Sequence, residues 1–126
     1  MLKRFLTIGL LAAGVISVSG CAVLLVGAGA GGTALWQGGK VISEETVTRD
    51  RAVAAVKSAF KARKITLTDE VKKTEVTQLR GEDAAHRKVA VDCFETGKKA
   101  VRVEIRVGMG EQDPAQALLT DIKRRL

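Results

Sequence analysis

The chain has 126 residues, of which 46% are hydrophobic, 28% charged and 3% aromatic, and its formal net charge is +7. That size and balance suit one small globular unit and exclude a two-domain enzyme, a doubly wound dinucleotide-binding domain or a barrel. The charge is unevenly placed: no Lys, Arg, Asp or Glu occurs from Phe5 to Gly39, and nine of the 13 glycines fall in residues 1–39. Residues 40–126 therefore read as the folding unit, and what precedes them as an address and a tether.

Met1-Leu2-Lys3-Arg4 is a short basic segment, and the 14 residues from Phe5 to Val18 form an apolar stretch with Thr7 and Ser17 as its only hydroxyls. This is the pattern of an export signal, shorter than the roughly 20 residues of an ordinary membrane-spanning helix. Val18-Ser19-Gly20-Cys21 resembles a bacterial lipobox. In proteins of that kind the cysteine sulfur is diacylglyceryl-modified, the chain is cut between the residues corresponding to Gly20 and Cys21, and the new amino terminus is acylated. A thiolate is a strong nucleophile at modest pH, which suits it to take the lipid, and two or more acyl chains anchor firmly where one does not. The expected organisation is a signal peptide over 1–20, a lipidated Cys21 with a Gly-rich tether over 21–39, and a globular α+β domain over 40–126. Ala22 stands where an aspartate would resemble an inner-membrane retention signal, which favours the outer membrane. The alternative is a retained helix, since the uncharged run continues past Trp36.

Gly27-Ala28-Gly29-Ala30-Gly31-Gly32 matches G-x-G-x-x-G. A dinucleotide site, however, needs a buried strand before it and a helix opening at its last glycines. Thr33 to Gly39 carries no helical period, so the segment is expected to be a tether, with Trp36 at the lipid interface or capping the core. If Cys21 carries lipid, Cys93 is the remaining thiol and is expected to be buried and inert.

Val41 to Val47 is strand-like, with a possible extension back to Thr33. Thr48 is placed to cap a helix over residues 49–62, with Asp50 in the first turn and Val47 set to meet Ala52 as a hydrophobic staple. Ala52, Val53, Val56, Ala59 and Phe60 make its apolar stripe. Two strands are expected over 64–71, with Ile65, Leu67 and Val71 on one side, and over 74–80, where poor alternation suggests a bulge or an edge. A hairpin follows. Val89, Val91 and Cys93, and then Val101, Val103, Ile105 and Val107, are all odd-numbered, so opposed residues must have an even sum. A three-residue loop over Glu95-Thr96-Gly97 with Gly97 at positive φ gives the sum 192, pairing Val91 with Val101 and Lys88 with Glu104. Asp113 is expected to cap a last helix, with Pro114 at its first helical position, Gln116 at the third completing a capping box, and Ala115, Leu118, Leu119, Ile122 and Leu126 as its apolar stripe. The expected fold is a two-layer α+β domain with two helices on one face of a four- or five-stranded, mainly antiparallel sheet.

Nothing in this pattern carries catalysis. His86 is the one histidine and sits beside Arg87 and Lys88 as a surface residue; zinc would need more ligands than one His and one Cys. Adjacent acids such as Glu44-Glu45 point apart in a strand, and His86 and Cys93, seven residues apart, project to opposite faces. No cofactor or metal is expected. Lys88, Arg102 and Arg106 line the outer face of the hairpin and could meet an anionic lipid or glycolipid, although Asp92 and Glu104 dilute the patch. Nucleic acid is not expected as a partner, because export removes the opportunity and no run of aromatics offers a stacking platform.

The whole chain resembles the DUF3568 family of small bacterial lipoproteins. The resemblance rests on the Gly20-Cys21 lipobox joined to the glycine run through Gly32, on Val103-Glu104-Ile105-Arg106-Val107-Gly108, and on Asp121-Ile122-Lys123. It implies location and fold and carries no active-site pattern. The expected function is non-enzymatic: a lipoprotein of a Gram-negative envelope, held by acylated Cys21 at the outer membrane and facing the periplasm, with a structural or protein-binding role. The alternative is a module that binds an anionic lipid or glycolipid.

Overall fold

The computed structural model describes residues 24–29 and 32–126, with side chains from residue 34 onward. Gly20 and Cys21, the expected processing site, lie outside the described residues. In chain order the elements are β1 (Leu24–Gly29), β2 (Gly32–Gln37), β3 (Lys40–Glu45), α1 (Arg49–Ala62), β4 (Thr66–Lys72), β5 (Val76–Glu82), β6 (Lys88–Gly97), β7 (Ala100–Val107) and α2 (Gln112–Arg124). The strands form one sheet in the order β1-β2-β3-β7-β6-β5-β4, every neighbouring pair antiparallel. That alternation makes β3 and β4 parallel, so α1 is a crossover to the far edge, and β5, β6 and β7 fill the gap as the chain meanders back.

The expected α+β class is present, with two helices packed on the sheet, but the strand count of four or five is too low. Six strands run from β2 to β4 and β1 adds a seventh at the edge. The strand extension back toward Thr33 is present as a separate strand, β2, and β1 lies further back in the glycine-rich segment expected to be a tether, so the sheet takes in residues before Lys40. Glycine hides strand alternation because it has no side chain to alternate; here the ladder to β3 and the burial of Ala34 supply the holding force. Gly38 and Gly39, at φ +61° and +78°, make the two-residue turn between β2 and β3, a conformation that matches strand twist and that glycine adopts without steric cost.

Helix α1 and its cap form as expected, with the Thr48 side chain accepting from the Arg51 N–H at 3.2 Å; Ala52, Val56, Ala59 and Phe60 are buried, joined by Ala55, while Val53 is only partly buried. In α2 Ala115, Leu118, Leu119 and Ile122 are buried as expected, Leu126 lies past the helix end and is only partly buried, and the cap differs. Glu111 is the N-cap residue, without a side-chain cap bond, and the helix begins at Gln112. Asp113 and Pro114 fall inside the first turn, where an acid meets the helix dipole favourably and a missing N–H costs nothing. The Glu111 N–H instead continues the turn from β7 by donating to the Val107 carbonyl at 2.9 Å.

The parity of the hairpin holds and its register differs. All seven odd-numbered residues are buried. Val89 faces Val107, Val91 faces Ile105, Cys93 faces Val103 and Glu95 faces Val101, a constant sum of 196 rather than 192. The turn is the two-residue Lys98-Lys99 between Gly97 and Ala100, and a bulge between Glu95 and Gly97 restores parity. Gly97 therefore does not adopt positive φ. The expected Lys88 to Glu104 and Val91 to Val101 pairs are not formed. The observed register gives each buried β6 residue an apolar partner, whereas the sum of 192 would set Cys93 against Lys99.

Strand β4 carries a second bulge between Leu67 and Asp69, which sends Leu67 and Val71 to opposite faces rather than one. Strand β5, expected to be irregular, alternates cleanly, with Thr77, Leu79 and Gly81 on the helix side. Thr77 and Gly81 are buried without being apolar, which is why periodicity did not show it.

A Cβ on Gly81 would lie 2.8 Å from the Thr66 carbonyl oxygen and 3.0 Å from the Phe60 ring. Gly81→Ala should therefore destabilise by about 1–3 kcal/mol through overpacking. Leu119→Ala, which leaves a cavity beneath α2, should cost about 2–5 kcal/mol, and Arg124→Ala on the exposed side should stay within about 0.5 kcal/mol. Denaturant melts of the three variants check the ranking.

Candidate functional site: the open face of the sheet

Both helices lie on the face that carries the odd residues of β6 and β7, and among the described residues no element covers the other face. The pleat brings its side chains into rows. One row runs Gln78, Asp92, Glu104, Ile42, Leu35 across β5, β6, β7, β3 and β2. A second runs Val76, Phe94, Arg102, Glu44, and a third Arg80, Ala90, Arg106. Asp92 and Glu104 are thus directly opposed carboxylates, a repulsive pair unless cations intervene.

They do intervene. Arg80 Nη1 donates to Asp92 Oδ1 at 2.7 Å, Lys40 Nζ to Glu104 Oε1 at 2.7 Å, and Arg102 Nε to Glu104 Oε2 at 3.0 Å. The Arg102 guanidinium also sits 4.6 Å from the centre of the Phe94 ring, a cation–π contact across the β6–β7 ladder. Burial pushes the Glu104 carboxyl up, but its bonds to Lys40 and Arg102 outweigh that and hold it below the ordinary range. A shallow groove of about 500 Å³ on this face is lined by Leu35, Ile42, Glu44, Arg102 and Glu104, among others.

The three basic residues singled out in the sequence share this face without forming one cluster. Arg106 lies across from Ala90, two residues along β6 from Lys88. Arg102 is four residues away on β7, about 13 Å at the usual strand rise. Lys88 sits 3.4 Å from Glu82, Arg102 is engaged by Glu104 and Phe94, and Arg106 donates to the Gly38 carbonyl at 3.0 Å. The face is charge-balanced rather than cationic.

His86 is exposed, at φ +63°, with Nδ1 2.9 Å from Glu82 Oε1, and that hydrogen bond leads the effects that lower the Glu82 pKa. Cys93 is buried between β5 and β7 and its thiol is pushed up to about 12, chiefly by burial, so it is unreactive. Burial raises the Asp83 carboxyl, but the Arg87 backbone and side chain take its oxygens and bring it below the ordinary range. A cavity of about 200 Å³ beside this pair has Ile65, Val89, Val107 and Leu118 among its lining. Periodicity missed two further features. Ser43 Oγ donates to Glu45 Oε1 at 2.6 Å inside the core, with Lys123 of α2 3.5 Å from the same oxygen. Arg49 ties α1 to the Lys73 and Thr74 carbonyls and lies 3.4 Å from Glu95. Among the described residues no group of acids, His and Cys is arranged to hold a metal, and no helix is long and apolar enough to cross a membrane.

A family model matches the chain over nearly its full length. The chain belongs to the DUF3568 family, proteins of unknown function. The family model matches residues 4–125, which takes in the amino-terminal segment as well as both helices and the sheet. A search of curated proteins finds no match. Membership in DUF3568 attaches no activity to the open face.

The Glu104 cluster sets a pH dependence. A carboxyl whose folded pKa lies below its unfolded value stabilises the fold above the ordinary glutamate range, about 4.3, and that contribution is lost as pH falls through the lower folded value. Glu104→Gln should lower stability near neutrality by about 1–3 kcal/mol and make the loss on acidification shallower than in the parent chain. Denaturant melts across the acid range measure both.

Proposed function

We propose that this DUF3568 protein is a non-enzymatic lipoprotein of a Gram-negative envelope, anchored by acyl chains on Cys21 at the outer membrane, that presents its open sheet face to a protein partner. The observation that carries the reading is the balanced character of that face. Leu35, Ile42 and Phe94 supply apolar area, and Asp92, Glu104, Arg80, Lys40 and Arg102 are already paired around them. Protein interfaces combine an apolar centre with satisfied polar groups in this way. An anionic headgroup would have to compete with two carboxylates in the middle of the face. The alternative, binding of an anionic lipid or glycolipid, is confined to the end of the face where Arg106 and Lys88 are neighbours.

Anchoring is supported by the order basic segment, apolar stretch, Gly20-Cys21. Intact-mass measurement of the membrane-extracted protein should find 106 residues plus lipid, and Cys21→Ser should remain unprocessed. A lipid-free chain that starts at Met1 would overturn the anchor. A photo-crosslinker at Ile42 in living cells should yield one discrete protein adduct that is absent when the same group replaces Thr120 on α2. Salt-sensitive capture by anionic vesicles that is lost in Arg106→Ala and Lys88→Ala would instead favour the lipid reading.

A further inference from the structure

We propose that β4 is a self-docking edge, through which two copies of this chain pair antiparallel about Val71. The inference is independent of the function proposed above. Among the described residues β4 is the last strand of the sheet, and all seven of its residues are exposed, with Leu67 at 39% and Val71 at 37%. The Lys73 N–H donates to the Val76 carbonyl at 2.7 Å where the β4–β5 hairpin closes. With the register that follows, Lys73, Val71 and Asp69 spend their backbone groups on β5. Glu70 and Lys72 therefore direct their N–H and C=O groups outward, away from the sheet.

An outward-facing ladder invites another strand, and proteins ordinarily block it with charges that repel a second copy. The charges here do the reverse. Asp69-Glu70-Val71-Lys72-Lys73 reads the same from either end with its signs inverted. Antiparallel pairing about Val71 sets Glu70 against Lys72 of the second copy and Asp69 against Lys73, on both sides of the axis, with valine against valine at the centre. Glu70 and Lys72 are both outward residues, so this register makes four main-chain hydrogen bonds at once, by the alternation of an antiparallel ladder.

Neighbouring registers fail. A slip of one residue opposes an outward residue with an inward one and breaks the ladder. A slip of two puts Glu70 against Glu70, or Lys72 against Lys72, on the axis. The existing partners are solvent-accessible pairs, Lys72 with Asp50 exposed and Lys57 with Glu70 half-buried, and such pairs hold their side chains only weakly. The bulge between Leu67 and Asp69 bends the strand just beyond the matched segment. Edge-to-same-edge pairing closes as a two-fold dimer and cannot extend into a filament. An interface of this size falls below about 1,000 Å², which makes the pair weak and reversible.

Disulfide trapping on the full chain in its membrane or in detergent tests this. Val71→Cys places a thiol on the axis, while buried Cys93 stays out of reach. Mild oxidation should produce a linked pair faster than in the unsubstituted chain or in Thr120→Cys on the exposed side of α2. In the Val71→Cys background, Lys72→Glu with Lys73→Glu should slow trapping by about tenfold, and so should Asp69→Lys with Glu70→Lys. Mixing the two charge variants, one of them tagged, should restore the rate in the mixed pair alone, a rescue that unfolded chains could not give. Trapping no faster than in Thr120→Cys, indifferent to the charge reversals, or unrescued by mixing would overturn the proposal.

Discussion

The ladder between β6 and β7 places seven odd-numbered residues on one side of the sheet, and the remaining elements answer to that surface. A sheet with one apolar face must be covered on that face only, and α1 and α2 are one-sided helices whose stripes meet it. Helix α1 bridges the parallel strands β3 and β4 over the strands between them, and α2 returns across β3 and β7. Ser43, Glu45 and Lys123 fasten α2 to β3 with a polar cluster inside an otherwise apolar layer, where leaving any member unpaired would be costly.

Among the described residues only one face is covered, and this has consequences for charge. Once β6 and β7 adopt the sum of 196, Asp92 must lie opposite Glu104. The hairpin cannot relieve that repulsion by itself, because only Arg102 among its residues bonds either acid. Lys40 on β3 and Arg80 on β5 complete the balance from either side. The neutral face thus depends on strands far apart in sequence, and the same residues that would form a cationic patch in isolation are engaged within the sheet.

Part of what sequence reading missed was nonetheless written there. The Gly38-Gly39 pair between Gln37 and Lys40 is a two-residue hairpin signal, which divides the strand extension toward Thr33 into a separate strand. The register error had a remedy as well: the sum of 192 sets Lys99 against Cys93, and a bulge in the strand stem removes that conflict while keeping parity. The cap of α2 was different in kind. Asp113, Pro114 and Gln116 fit the helix-start pattern, but the chain leaving β7 bends at Gly108 and Gly110, and the Val107 carbonyl captures the Glu111 N–H first.

The sequence by itself determined the class of the domain, the extent and cap of α1, the stripe of α2 and the buried parity of β6 and β7. Each of these is local and periodic, and a helix stripe or a strand face is the same whatever packs against it. The tertiary structure decided the number of strands, the register, the bulge in β4 and the charge balance of the open face. Those depend on which residues of distant strands stand opposite one another, and a shift of two residues along a strand keeps the buried face unchanged while replacing every partner across it.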